Sequence, residues 1–174
     1  MADDGASPEE QLLFACRSDN LDLFTTLTST SDTQLNVNTT DSIGRTPLHL
    51  AVMYQSTDVL PQLLEEEVDV DLQESKEGDT PLHSACRLGE EEDEERRNWI
   101  VDQLLSSGAD PRVRNHSNQK PVDVLVGAAK ERPLGQELYR MLREAEAQAG
   151  FSQKGDIVDE DDDESDGGTP SDDD

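Results

Sequence analysis

The run Gly44-Arg45-Thr46-Pro47-Leu48-His49-Leu50-Ala51 returns as Gly78-Asp79-Thr80-Pro81-Leu82-His83-Ser84-Ala85, 34 residues later. A weaker third copy, Asn118-Gln119-Lys120-Pro121-Val122-Asp123-Val124-Leu125, follows after a further 40. Self-similarity at such a period marks supersecondary units that stack in one dimension, each burying its apolar face only against a neighbour. The local chemistry agrees with a helix start. Proline fits the first helical turn, where its missing N–H costs nothing, and the threonine before it is a good N-cap. Gly44 and Gly78 are expected to take the positive φ of a tight tip.

Each copy leads to a second apolar stretch that reads as a partner helix: Val59-Leu60-Pro61-Gln62-Leu63-Leu64, then Trp99-Ile100-Val101-Asp102-Gln103-Leu104-Leu105, then Leu138-Tyr139-Arg140-Met141-Leu142. Gly108-Ala109-Asp110-Pro111 closes one copy, and Val68-Asp69-Val70-Asp71 stands in the matching place of the copy before it. Upstream, residues 8–27 have the pattern of a helix pair without its hairpin, with Glu9 and Glu10 placed to complement a helix N-terminus. This counts as four units over about residues 7–147, the outer two degenerate, as terminal units facing water are expected to be.

Thr-Pro-Leu-His-x-Ala after a glycine turn, then a Leu-Leu helix and a Gly-Ala-Asp exit, resembles the ankyrin repeat, whose period is about 33. The resemblance implies an all-α repeat solenoid of helix-turn-helix units with β-hairpin tips. It also implies that His49 and His83 hydrogen-bond within and between repeats as neutral rings, instead of forming a catalytic or metal pair. Two features depart from the pattern. Glu90-Glu91-Glu92-Asp93-Glu94-Glu95-Arg96-Arg97 is an insertion expected to lengthen a helix or form an exposed acidic loop, and residues 31–37 are expected to be a surface loop. Residues 1–6 and the acidic, Gly/Ser/Asp-rich stretch 148–174 are expected to be disordered, since such a composition cannot offset the entropy of ordering.

Charge bounds the partner. The chain carries 41 acidic and 14 basic residues, a net charge of -27. Residues 155–174 hold 11 of the acids and no base, so the body is acidic in its own right. Such a surface repels the phosphate backbone of nucleic acid and complements a basic protein. No apolar run approaches the roughly 18 residues of a membrane span, and Asp3 and Asp4 stand where a signal peptide carries positive charge. The expectation is therefore a monomer in the cytoplasm, the nucleus or both, binding neither membrane nor nucleic acid directly. Cys16 and Cys86 lie far apart, outside any Cys-x-x-Cys pair, and read as reduced core thiols in preference to a disulfide or metal site.

Searches for catalytic chemistry return nothing: no Gly-x-Ser-x-Gly, no cysteine with a plausible partner set, no phosphate loop and no His-Glu-x-x-His. No catalytic residue, cofactor or metal site is assigned, and the acidic runs lack the alternating ligands and central glycine of a calcium loop. Trp99 reads as a core residue more than as an exposed anchor, and His116 as a solvated or contact residue at a tip. By the ankyrin resemblance, the candidate partner-binding face comprises the tip residues Ser42, Ile43, Arg45, Lys76, Glu77 and Asp79 and the inner-helix ends Met53, Tyr54, Arg87 and Leu88. The acids Glu90, Glu91, Glu92, Asp93, Glu94 and Glu95 join it as candidates of the insertion. Ser165 and Ser171 sit in acidic settings that suit phosphorylation.

The reading that follows is a non-catalytic binding module, a chaperone or escort that shields a basic ribosomal or histone-like protein. In layout and charge the chain is similar to a yeast-type pattern, a short ankyrin protein with an acidic tail that escorts a newly made small-subunit ribosomal protein. That likeness is not residue by residue. The alternative is a regulatory adaptor that binds a non-basic peptide or protein, its acidity serving solubility.

Overall fold

The computed structural model describes residues 5–29, 35–88, 93–125 and 131–152. Seven α-helices and one short 3₁₀ helix occupy them: α1 (Pro8–Ser18), α2 (Leu21–Ser29), α3 (Pro47–Met53), α4 (Val59–Leu64), α5 (Pro81–Arg87), α6 (Glu94–Ser106), the 3₁₀ helix Pro121–Asp123, and α7 (Pro133–Ser152). They form four helix pairs in two rows. α1, α3, α5 and the 3₁₀ helix pack in sequence along the inner row, and α2, α4, α6 and α7 back them.

Every inner helix begins with the same two-residue device. Ser7-Pro8, Thr46-Pro47, Thr80-Pro81 and Lys120-Pro121 each place proline at the first turn, and in the first three the hydroxyl accepts from the backbone N–H three residues on. Lysine has no acceptor to offer. With Lys120 in the cap position and the β-branched Val122 and Val124 behind it, the fourth inner helix shortens to a single 3₁₀ turn.

Between the rows lies one continuous apolar core, with Leu12, Phe24, Leu48, Leu60, Leu63, Leu82, Ile100, Leu104, Leu138 and Leu142 buried along its length. Cys16 and Cys86 belong to it as free thiols, and burial pushes both up to about 12, Cys16 further raised by Asp19. Trp99 is partly buried against this core.

Polar side chains stitch successive units together. Asp19 accepts from the N–H groups of Asp58 and Val59, Asn38 from that of Asp69, and Asp71 from that of Asp110. Each thereby satisfies a backbone donor of the following unit. Of the insertion, Glu94 to Arg97 form the first turn of α6, which runs 13 residues against six in α4. Glu90, Glu91 and Glu92 lie outside the described residues, as do Ser165 and Ser171. Of the stretch 148–174 expected to be disordered, residues 148–152 instead continue α7, where Arg112 donates to Ala149 O, and the remainder lies outside the described residues.

Candidate protein-binding groove

Three tips project from the inner row, closed by the backbone hydrogen bonds Asp41 N to Arg45 O, Glu74 N to Asp79 O, and Asn115 N to Gln119 O, with Gly44 N to Asp41 O and Asn118 N to Asn115 O inside the first and third. No strand occurs among the described residues. The first residue of each tip organises it. Asp41 accepts from the N–H groups of Ile43 and Arg45, Asn115 from those of Ser117 and Gln119, and Glu74 from those of Lys76, Glu77 and Asp79. The middle tip is one residue longer, and the extra methylene of Glu74 spans it. Burial opposes ionisation of Asp41 and Glu74, but the donated N–H bonds outweigh it and hold both carboxyls below their usual range.

The tips stack on one another. Ser75 N donates to Ile43 O, and His116 N donates to Glu77 O. Gly44 and Gly78 have φ of 81° and 67° as expected. They are also the contact points: a Cβ on Gly44 would lie 2.2 Å from Ser75 Oγ, and one on Gly78 would lie 2.4 Å from the His116 ring. His116 is exposed at its tip, as expected, with its ring lying against Gly78.

Beneath the tips the two repeat histidines form matching bridges. His49 Nδ1 faces the Thr46 N–H at 3.2 Å and the Thr46 hydroxyl at 2.9 Å, while Nε2 lies 3.0 Å from Asp79 O of the next unit. His83 repeats this with Thr80 and with Gln119 O at 2.9 Å. A backbone N–H aimed at Nδ1 requires the ring to accept there, so the proton sits on Nε2 and is donated across the repeat boundary. Burial lowers the pKa of both rings, partly opposed by the carbonyl each one meets.

Above these bridges a groove of about 340 Å³ runs between the first two tips and the ends of α3 and α5. It gathers eight of the expected contact residues: Ile43, Arg45, Met53, Lys76, Glu77, Asp79, Arg87 and Leu88. Its apolar surface comes from Ile43 and Met53, each 40% exposed, and from the half-buried Leu88. Its charges are largely matched in place, Arg45 by Asp41 at 2.8 Å, Arg87 by Asp79 at 2.6 Å and Lys76 by Glu77 at 3.8 Å. The excess negative charge of the chain therefore lies outside the groove.

Several expected contact residues have other surroundings. Asp79 is 5% exposed, its carboxylate held by Arg87 and by Asn115 Nδ2 at 2.7 Å, so it fastens two tips to α5. Burial disfavours its charge, yet the Arg87 and Asn115 bonds keep its carboxyl below the usual range. Tyr54 stands outside the groove with the Arg17 guanidinium 5.0 Å above its ring, and Ser42 is exposed at the first tip. Glu94 is buried, bonded to Arg132 at 3.0 Å and beside the fully buried Arg97, which donates to Leu88 O. Asp93 meets Arg96 and Gln55, and Glu95 alone of the described insertion acids is exposed and lines a second cleft. Glu74, His49 and Ser84 line the groove without having been expected there. The offset of Glu74 relative to Asp41, four residues against three before the tip glycine, was the available signal.

A family model of ankyrin repeats, in three copies, matches residues 12–115. Ankyrin repeat-containing protein YGL242C of Saccharomyces cerevisiae is 42% identical over 135 residues, which cover 73% of this chain and 74% of that protein. Human 2-5A-dependent ribonuclease is 38% identical over 82 residues and bovine SMC5-SMC6 complex localization factor protein 1 is 31% identical over 123. These two alignments take up 10% and 11% of those proteins, so the likeness is to a short segment of a much longer chain.

Proposed function

The chain belongs to the ankyrin-repeat family, a family of typically non-catalytic protein–protein interaction modules, and from that premise we propose that it is an escort for a basic protein. The observation that carries this reading is the division of labour on its surface. A nearly charge-matched groove in which Ile43 and Met53 are exposed and Leu88 half-buried offers a shaped apolar contact, while the chain as a whole carries a net charge of -27. Long-range attraction draws in a Lys/Arg-rich partner and raises its association rate, and the groove supplies short-range contacts that slow its release. A protein so covered is kept from the polyanions it would otherwise meet.

The matched charges inside the groove also suit the adaptor reading, in which a non-basic peptide is bound by its apolar side chains alone. Affinity capture from cell extract separates the two. With intact chain as bait and washes at low and high salt, an escort retains a basic protein that high salt removes. Retention of a non-basic protein that survives high salt contradicts the escort and establishes the adaptor.

A further inference from the structure

A second cleft lies on the outer row, away from the groove, between α6 and α7. It measures about 410 Å³ and is lined on α6 by Glu95, Asn98, Trp99 and Asp102 and on α7 by Leu134, Glu137 and Met141. These positions follow helical spacing, i, i+3, i+4 and i+7 on α6 and i, i+3 and i+7 on α7. Two helix stripes thus face a shared trough about 10 Å long at 1.5 Å rise per residue. The floor is apolar, from Trp99, Leu134 and Met141, all partly buried. The rim is acidic: each charged side chain lining the cleft, Glu95, Asp102 and Glu137, is an exposed carboxylate.

The walls are fixed in place. Asn98 Nδ2 donates to Leu134 O at 2.9 Å, and Arg132 just before α7 bonds the buried Glu94 at the start of α6. The cleft is therefore formed before anything enters it, which lowers the ordering cost of binding.

We infer that this cleft is a docking site for a basic amphipathic helix of a partner protein, whose apolar stripe lies on Trp99, Leu134 and Met141 while flanking Lys or Arg side chains meet Glu95, Asp102 and Glu137. The charge pattern selects the occupant, because an apolar trough edged only by carboxylates rejects an acidic or neutral helix relative to a basic one. Two helix stripes receive a third helix by the ridge-into-groove packing that helices use among themselves, and helix-in-groove recognition reads anchors at i, i+3, i+4 and i+7. The inference shares with the proposed function the premise of a basic partner, but it concerns a different face.

Trp99 is the single tryptophan of the chain and therefore reports on this cleft directly. The test titrates the full chain with a peptide of about 14 residues bearing leucine at i, i+3, i+4 and i+7 and lysine elsewhere, beside a peptide of the same composition in scrambled order. The patterned peptide is expected to shift Trp99 emission saturably. The combination Glu95→Gln, Asp102→Asn and Glu137→Gln, all at exposed positions, is expected to weaken it about tenfold or more. Met141→Ser is expected to abolish the shift, and Met53→Ser in the groove to leave it unchanged. Equal binding of the scrambled peptide, or a shift unaffected by the rim substitutions, overturns the inference and leaves only diffuse polyanion attraction. Because Met53→Ser probes the groove alone, failure at the cleft and failure of the groove are distinguishable.

Discussion

At the scale of single residues, the chain uses polar groups chiefly to define its own shape. His49 and His83 are the clearest case, since each is a neutral ring whose acceptor and donor ends are both engaged. Their pKa values lie below the ordinary 6.5, so below about pH 6.5 the unfolded chain takes up protons that the folded chain refuses. The stability they contribute is complete above that value and is lost as pH falls through their lowered folded values. A protein with His49→Gln and His83→Gln should be less stable at pH 7.5 and should lose less of its remaining stability between pH 7 and 5 than the parent. Thermal unfolding of both proteins across that range checks this. Relief of carboxylate repulsion acts on both alike, so the difference between them is the readout.

Much of this was legible beforehand. The Thr-Pro-Leu-His signature identifies the caps, because side chain and backbone within four residues determine them, whereas the histidine bridges to Asp79 and Gln119, 30 and 36 residues on, were legible only through the resemblance to ankyrin repeats. The roles of Asp79 and Glu94 were not legible. Each looks like a surface acid in sequence, and its burial depends on partners 36 and 38 residues away, Asn115 and Arg132. A charge becomes structural only when a distant segment closes over it, and local pattern does not record that.

At the scale of elements, the tips and the inner helices behave as one stack. The glycines divide into two kinds. Gly78 has positive φ and also touches the next tip, whereas Gly108 has φ of 93° with nothing within 4 Å of an added Cβ. Gly108→Ala is expected to cost about 1 kcal/mol, for backbone conformation alone. Gly78→Ala adds displacement of the His116 ring and is expected to cost about 2–3 kcal/mol. Urea unfolding of the two variants tests this, and equal losses would show that tip stacking contributes little. The shortened fourth inner helix follows from Lys120 in a cap position, a signal the sequence carried openly. The length of α6 was half legible: the inserted Glu94 to Arg97 extend the helix, and what anchors that extension is the Glu94–Arg132 pair to α7.

At the scale of the whole molecule, four stacked units produce two distinct faces, an inner one with a charge-matched groove and an outer one with an acid-edged cleft. The overall acidity does not by itself say where a partner sits, and the groove residues show that a strongly negative chain keeps one patch near neutrality. The escort reading requires that attraction and contact act separately. The most direct test is the dissociation constant of the captured partner as a function of ionic strength, for the parent and for a chain with Ile43→Ser and Met53→Ser. The account predicts affinity that falls steeply with salt for both proteins, with the variant weaker by about tenfold at every salt concentration and the same slope. A variant that binds as tightly as the parent, or a parent whose affinity does not change with salt, would contradict it.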